Sequence, residues 1–434
     1  MPTSTAPERT EAPVPDPAAR PYIGGQAVLE GVMMRAPTSF AVVVRRADGS
    51  LVVRERPMPS LRKGMSRWPL FRGVASLVES LKLGSEALRF SAEQMEKDME
   101  LEATKEASAA SRASSTWIGL GVSAWTSALF RAASLAAFHV VTTDADVPDD
   151  TDESGEAGVV EAARGSEVAR SNANVNPPAL GKTSDVDGRS EKKSNGGMAF
   201  MLVVMVSFFI ALPQAAATVL NKVLHLGLEL QSPAFQVITG ALKLGIVIGY
   251  MALIRRIPDI RRVFQYHGAE HKTISTYEAN EALTVDNARA KTTLHPRCGT
   301  TFLVMVALVS ILVFTAVGAL LPRIATGNIV ADNLVFLLMK LPFLPVITAV
   351  TFELQRFSAR YCTTGPLRVL LVPGFLVQKI TTIEPDDAQL EVALASLRAT
   401  LFRERAEDTG SDVVDVSFPN YAELSRAERL RSAA

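Results

Sequence analysis

Cysteine is nearly missing from this chain: among 434 residues there are two, Cys298 and Cys362. Two thiols cannot form a disulfide framework, so both are read as free thiols or as ligands. Histidine is as scarce, with five in all. Net charge is also absent, because 45 basic residues balance 45 acidic ones. No global field then points toward nucleic acid, and none is expected as a partner. Residues 1–20 lack a basic stretch followed by an apolar run, which makes them a disordered leader by expectation rather than a signal peptide.

Apolar residues are present in long runs. Four of these, 199–220, 234–254, 301–321 and 334–352, approach the roughly 20 residues that a helix needs to cross hydrocarbon. The segments after the first and third runs hold one base each, Lys222 and Arg323. Between the second and third lie eight: Arg255, Arg256, Arg261, Arg262, Lys272, Arg289, Lys291 and Arg297. The positive-inside bias then predicts a multi-pass plasma-membrane protein with both termini and the 255–300 loop cytoplasmic. The four arginines at 255–262 read as topology determinants that touch anionic lipid headgroups. Lys243 and Lys340, at mid-depth in two runs, read as snorkelling or internally paired, with a functional path as the other reading.

The remainder divides by composition. Residues 21–103 are expected to form an N-terminal cytoplasmic α+β region. In it AVVVRR and LVVRER form a hairpin about Ala47-Asp48-Gly49-Ser50, and an amphipathic helix starts near Trp68. Before the hairpin, Gly24, Gly25, Glu30, Gly31 and Arg35 suggest a glycine-rich turn. Residues 104–142 contain an apolar stretch interrupted by Arg131, read as an interfacial helix rather than a further span. Residues 143–197 include eight acids and no base from Asp144 to Glu161, the composition of a disordered linker. The remaining expectations are spans 1 and 2 in 198–254, the metal-site loop at 255–300 and spans 3 and 4 in 301–353. A cytoplasmic region at 354–402 and a polar tail at 403–434 follow. The fold class is therefore a mainly α membrane protein with four transmembrane helices, a small α+β N-terminal region and a cytoplasmic metal-site loop.

Three of the five histidines fall in that loop. In FQYHGAEHK, His267 and His271 are four residues apart, so on a helix their imidazoles lie one turn apart on one face and can close on one ion. With Glu270 they form H-x-x-E-H, the inverted zincin pattern, in which the carboxylate beside the metal is the general base. The later His295-Pro296-Arg297-Cys298 offers an imidazole and a soft thiolate, a set that suits zinc or another transition metal better than magnesium or calcium. Glu278, two turns beyond His271, is a further ligand or a partner that orients an imidazole. If all four of His267, His271, His295 and Cys298 bind, the shell is closed and structural; with one fewer, a position opens for substrate.

Four blocks, GGQAVLEGVMMR, RRVFQYHGAEHK, HPRCGTTFL and PGFLVQKITTIEPDDAQLEVAL, resemble the YqhQ-type family of bacterial membrane proteins, domain of unknown function 1385, described as predicted metal-dependent enzymes. The likeness covers about 21–103 and 198–402 and sets 104–197 aside as an insertion. It implies metal ligands at His267, His271, His295 and Cys298 and an acid/base at Glu270, with no established reaction. Gly24, Gly25, Glu30, Gly31 and Arg35 are expected to close over the site from the N-terminal region, with Glu30 and Arg35 supporting it. Two readings stay open: a zinc-dependent hydrolase, protease-like or acting on a lipid-linked group, and a non-enzymatic scaffold with structural zinc.

Overall fold

The computed structural model describes residues 20–58, 69–110, 207–318, 320–322, 326–362, 365–405 and 413–427. The expected leader, the linker at 143–197 and nearly all of the interfacial stretch at 104–142 lie outside them.

Five strands form one antiparallel meander in chain order: β1 Gly24–Val28, β2 Gly31–Arg35, β3 Ser39–Arg45, β4 Leu51–Pro57 and β5 Val414–Phe418. The expected hairpin is β3–β4, in register Arg45↔Leu51, with Gly49 in the left-handed region at φ 85° where the loop reverses. The glycine-rich block is not a turn but a second hairpin, β1–β2, reversing at Leu29–Glu30. Glycine is depleted in strands, which is why composition pointed elsewhere. Here it permits close approach: a Cβ on Gly31 would sit 2.4 Å from the Val43 carbonyl oxygen across the sheet. Within the expected polar tail, β5 pairs with β4, and Arg54 and Asp415 face each other across the pair at 2.7 Å.

Both faces of this sheet are covered, so its core strand reads as an unbroken apolar run. Val28, Met33, Phe40, Val42 and Val44 pack on Leu83, Ala87 and Phe90 of α1, Pro69–Ala110. Val32, Met34, Ala41 and Val43 face the opposite way. They meet α10, Asp387–Arg405, whose Leu390, Leu394, Leu397 and Leu401 are buried, on the order of 1.5–3 kcal/mol for each such side chain. This helix starts with a reciprocal cap: the Gln389 N–H donates to Asp386 Oδ1 at 2.8 Å, and the Asp386 N–H donates to Gln389 Oε1 at 3.0 Å.

The apolar elements are α2 Leu212–Val223, α3 Pro233–Ile254, α6 Gly299–Gly318, α7 Ile329–Lys340 and α8 Leu344–Tyr361. Three helices among the described residues, not four, are long and apolar enough to cross a membrane: α3, α6 and the continuous 329–358 run of α7 and α8. Within that run the helix tightens to a 3-10 turn at Leu341–Phe343; Pro342 in this turn and Pro345 just after it remove backbone donors. The expected first span at 199–220 begins outside the described residues; its described part is a π turn, Ser207–Ala211, leading into α2.

Between α3 and α6 lie α4, Pro258–Glu278, and the short α5, Val285–Arg289. α9, Val372–Thr381, and α11, Tyr421–Arg426, complete the described α-helices. α4 is unusual in burying His267, Glu270, His271, Lys272, Thr273 and Thr276 along with its apolar residues, because α10, β1 and the segment after α9 enclose it. Gly268 allows the last of these contacts. A Cβ there would lie 2.2 Å from the Ile383 carbonyl oxygen, while the Ile383 N–H donates to the Phe264 carbonyl at 3.0 Å. Gly268→Ala is therefore expected to cost about 1–3 kcal/mol by forcing two backbones apart. Thermal unfolding of the detergent-purified chain measures it, and an unchanged midpoint would refute this close packing.

Candidate metal centre

α4 presents His267 and His271 one turn apart, with ring centroids 4.4 Å apart. The sequence after α5 returns to them through His295-Pro296-Arg297-Cys298 and enters α6, so that Cys298 sits at the start of that helix. Its carbonyl accepts from Thr301 N at 3.0 Å, and its sulfur lies 3.4 Å from the Thr300 N–H and 3.1 Å from Thr300 Oγ1. The positive end of a helix suits negative charge on that sulfur. His267, His271 and Cys298 are all buried, and one ligand atom from each lies within 4.8 Å of the other two. Ligands at roughly 2.0–2.3 Å from a tetrahedral ion stand roughly 3.3–3.8 Å from one another, so small adjustments would close this set.

The tautomers are arranged for the same purpose. His267 Nδ1 lies 3.0 Å from the Thr381 carbonyl oxygen and His271 Nδ1 lies 2.6 Å from that of Thr293. Carbonyls only accept, so each Nδ1 carries the proton and each Nε2 keeps its lone pair. His267 Nε2 is 3.2 Å from Cys298 Sγ. His271 Nε2 is buried and has no hydrogen-bond partner among the described residues. A buried acceptor left unsatisfied is costly unless something occupies it, and imidazoles held through the far nitrogen are the usual arrangement of metal ligands. Burial pushes the His267 imidazole down to about 4, although the Thr381 carbonyl pulls it up. His271 is held well below the ordinary imidazole range by burial first and by its histidine neighbours second. Both are thus neutral at ordinary pH, as ligands must be. The residues fit a transition metal, and the cluster could hold one.

His295 lies beside the three, not among them. Its ring is 5.6 Å from that of His271, and its Nε2 is 3.3 Å from Glu278 Oε2. Its backbone is clamped at both ends by Gln378, whose Oε1 accepts from His295 N at 2.9 Å and whose Nε2 donates to His295 O at 2.7 Å. Glu278 also pairs with Arg297. Glu270 is buried at 1% exposure, with its carboxyl against β1: a Cβ on Gly25 would come within 2.8 Å of Glu270 Oε1. Glu30 stands at φ 51° in the β1–β2 turn, where it forms a two-pronged ion pair with Arg262 and lies 3.2 Å from the Tyr266 hydroxyl. Arg35 is engaged on the α1 side of the sheet, with Ser80 at 2.9 Å and Glu79 at 3.7 Å. The carbonyls of Thr293 and Thr381 had no signal in the sequence, since every residue carries one. Gln378 lay inside a noted block but showed no role until its partners were placed.

A family model described as "Protein of unknown function (DUF1385)" matches residues 68–147 and 162–403. This includes 104–147 and 162–197, the stretch set aside above as an insertion, so only 148–161 interrupts the match. The chain is 26% identical over 390 residues to "Uncharacterized protein YqhQ" of Bacillus subtilis (strain 168), which covers 88% of this chain and 92% of that relative. No solved structure matches it. With three apolar helices consistent with membrane association and a buried His-His-Cys cluster, the chain belongs to the DUF1385 family.

Proposed function

We propose that this chain is a multi-pass plasma-membrane protein with a zinc-dependent hydrolytic site on its cytoplasmic side, His267, His271 and Cys298 being the ligands. The observation that carries the reading is the pair of Nδ1-anchored imidazoles, with one ligand atom of each within 4.8 Å of the other and of the Cys298 thiol. Three protein ligands leave the fourth tetrahedral position open, which is the arrangement of catalytic zinc. A bound ion would supply a Lewis acid at that position. Glu270, buried on the same helix, takes the proton of the attacking water and returns it to the leaving group. Beside the three lie the buried His295 and Glu278, whose side chain is 37% exposed. The basic 255–300 loop keeps the site inside, with Arg255, Arg256 and Arg261 near anionic headgroups. A substrate near the membrane face, either a peptide bond or a lipid-linked group, follows from that placement.

A scaffold with structural zinc is the second reading. What favours it is the burial of all three ligands to 1% exposure or less. Elemental analysis of detergent-purified chain, prepared without chelator, tests what both share. About one transition-metal ion per chain is expected for a single three-ligand site; a metal-free protein would overturn both.

A further inference from the structure

The four apolar stretches, 199–220, 234–254, 301–321 and 334–352, contain two lysines and not one aspartate or glutamate. Both lysines reach the same place. A small cavity of about 10 Å³ is lined by Ile210, Gln236, Thr239, Gly240, Lys243, Ser310, Ile311, Phe314 and Lys340, contributed by the π turn and by α3, α6 and α7. Lys340 is 3% exposed and so does not snorkel. Its Nζ donates to Gln214 Oε1 at 3.1 Å and stands 4.4 Å and 5.1 Å from the ring centres of Phe336 and Phe314. Ring faces at this range favour an ammonium, yet they bring no net negative charge. Lys243 Nζ donates to Ser310 Oγ at 3.3 Å.

Among the described residues the hydrogen-bond partners of the two ammoniums, Ser310 and Gln214, are neutral, and no carboxylate lines the cavity. Each ammonium has three N–H bonds, so donors remain after these contacts. Two like charges without a counter-charge in apolar surroundings are strongly unfavourable. The sequence supplies no acid in the stretches to pair with them, and an anion from outside would do so.

We propose that Lys243 and Lys340, facing one cavity among the apolar helices, form a binding site for a small monovalent anion such as chloride. The Ser310 hydroxyl and the Gln236 amide line the same cavity. A volume of about 10 Å³ accepts roughly one water-sized particle. Chloride and bromide fit with slight adjustment, whereas sulfate and phosphate are too large. The site is independent of the metal centre, and its occupancy would tie α3, α6 and α7 together.

The test uses full-length protein in detergent, melted in potassium chloride, bromide, sulfate and gluconate at one ionic strength. Chloride and bromide are expected to raise the midpoint by several degrees in a saturable manner relative to gluconate, and sulfate is expected to act as gluconate does. The Lys243→Met/Lys340→Met double variant should lose the difference. Independently, chloride-35 magnetic resonance should show excess line broadening with wild-type protein, reversed by added bromide. Equal midpoints in chloride and gluconate, an unchanged response in the double variant, or no excess broadening with wild type would each overturn the proposal. The last needs no variant to fold.

Discussion

Glu270→Gln is expected to leave the metal content of the purified chain unchanged and to abolish its cellular effect. The glutamine is nearly the same size as the buried carboxyl it replaces, so the contact with β1 at Gly25 is retained. What is lost is the ability to accept a proton. Removing a positioned general base costs about 10²–10⁴-fold in rate. The measurement compares lipid and peptide profiles of cells lacking the chain with those of cells carrying wild-type or Glu270→Gln protein. A hydrolase predicts that the variant reproduces the null profile, with substrate accumulating. The scaffold reading predicts wild-type profiles, because a closed structural site makes no use of an acid beside its ligands. A variant that loses its metal as well would show Glu270 to be a ligand or its support, and the assignment of acid/base would then fail.

The difference between what the chain shows as letters and as a fold follows the range of the interactions. Local patterns were legible. The β3–β4 hairpin followed from alternating apolar runs about a turn, and the helical spacing of His267 and His271 set two imidazoles on one face. Apolar length located α3, α6 and the 329–358 helix, but it counted a fourth span that the described residues do not complete. Long-range pairing was not legible. Nothing in Val414–Phe418 says that it finishes a sheet begun nearly 400 residues earlier, because strand propensity carries no address. The glycine-rich block is expected to close over the site, and Gly25 does lie against Glu270, but as part of a strand rather than a turn, since the glycine serves a neighbour distant in sequence. Within the site, residue types nominated four ligands; the tightest set holds three of them, His267, His271 and Cys298, with the His295 ring 5.6 Å from that of His271.

That separation gives the second large effect its form. Cys298→Ser and His271→Ala should each reduce metal affinity more than about 100-fold, since even partners that merely orient ligands contribute about 10–100-fold. Serine keeps the hydroxyl-sized bulk beside Thr300 but offers a hard oxygen where a thiolate suited zinc. His295→Ala should behave differently. Its Nε2 is directed to Glu278, and its backbone stays clamped by Gln378 whatever the side chain, so the chain should keep its metal and lose at most tenfold in affinity. Competition with a chromophoric chelator, run on all three variants and on wild type, reads these constants directly. If His295→Ala loses metal as completely as Cys298→Ser, the fourth position belongs to that imidazole. The shell is then closed, no place remains for a substrate, and the zinc is a clamp joining α4 to α6.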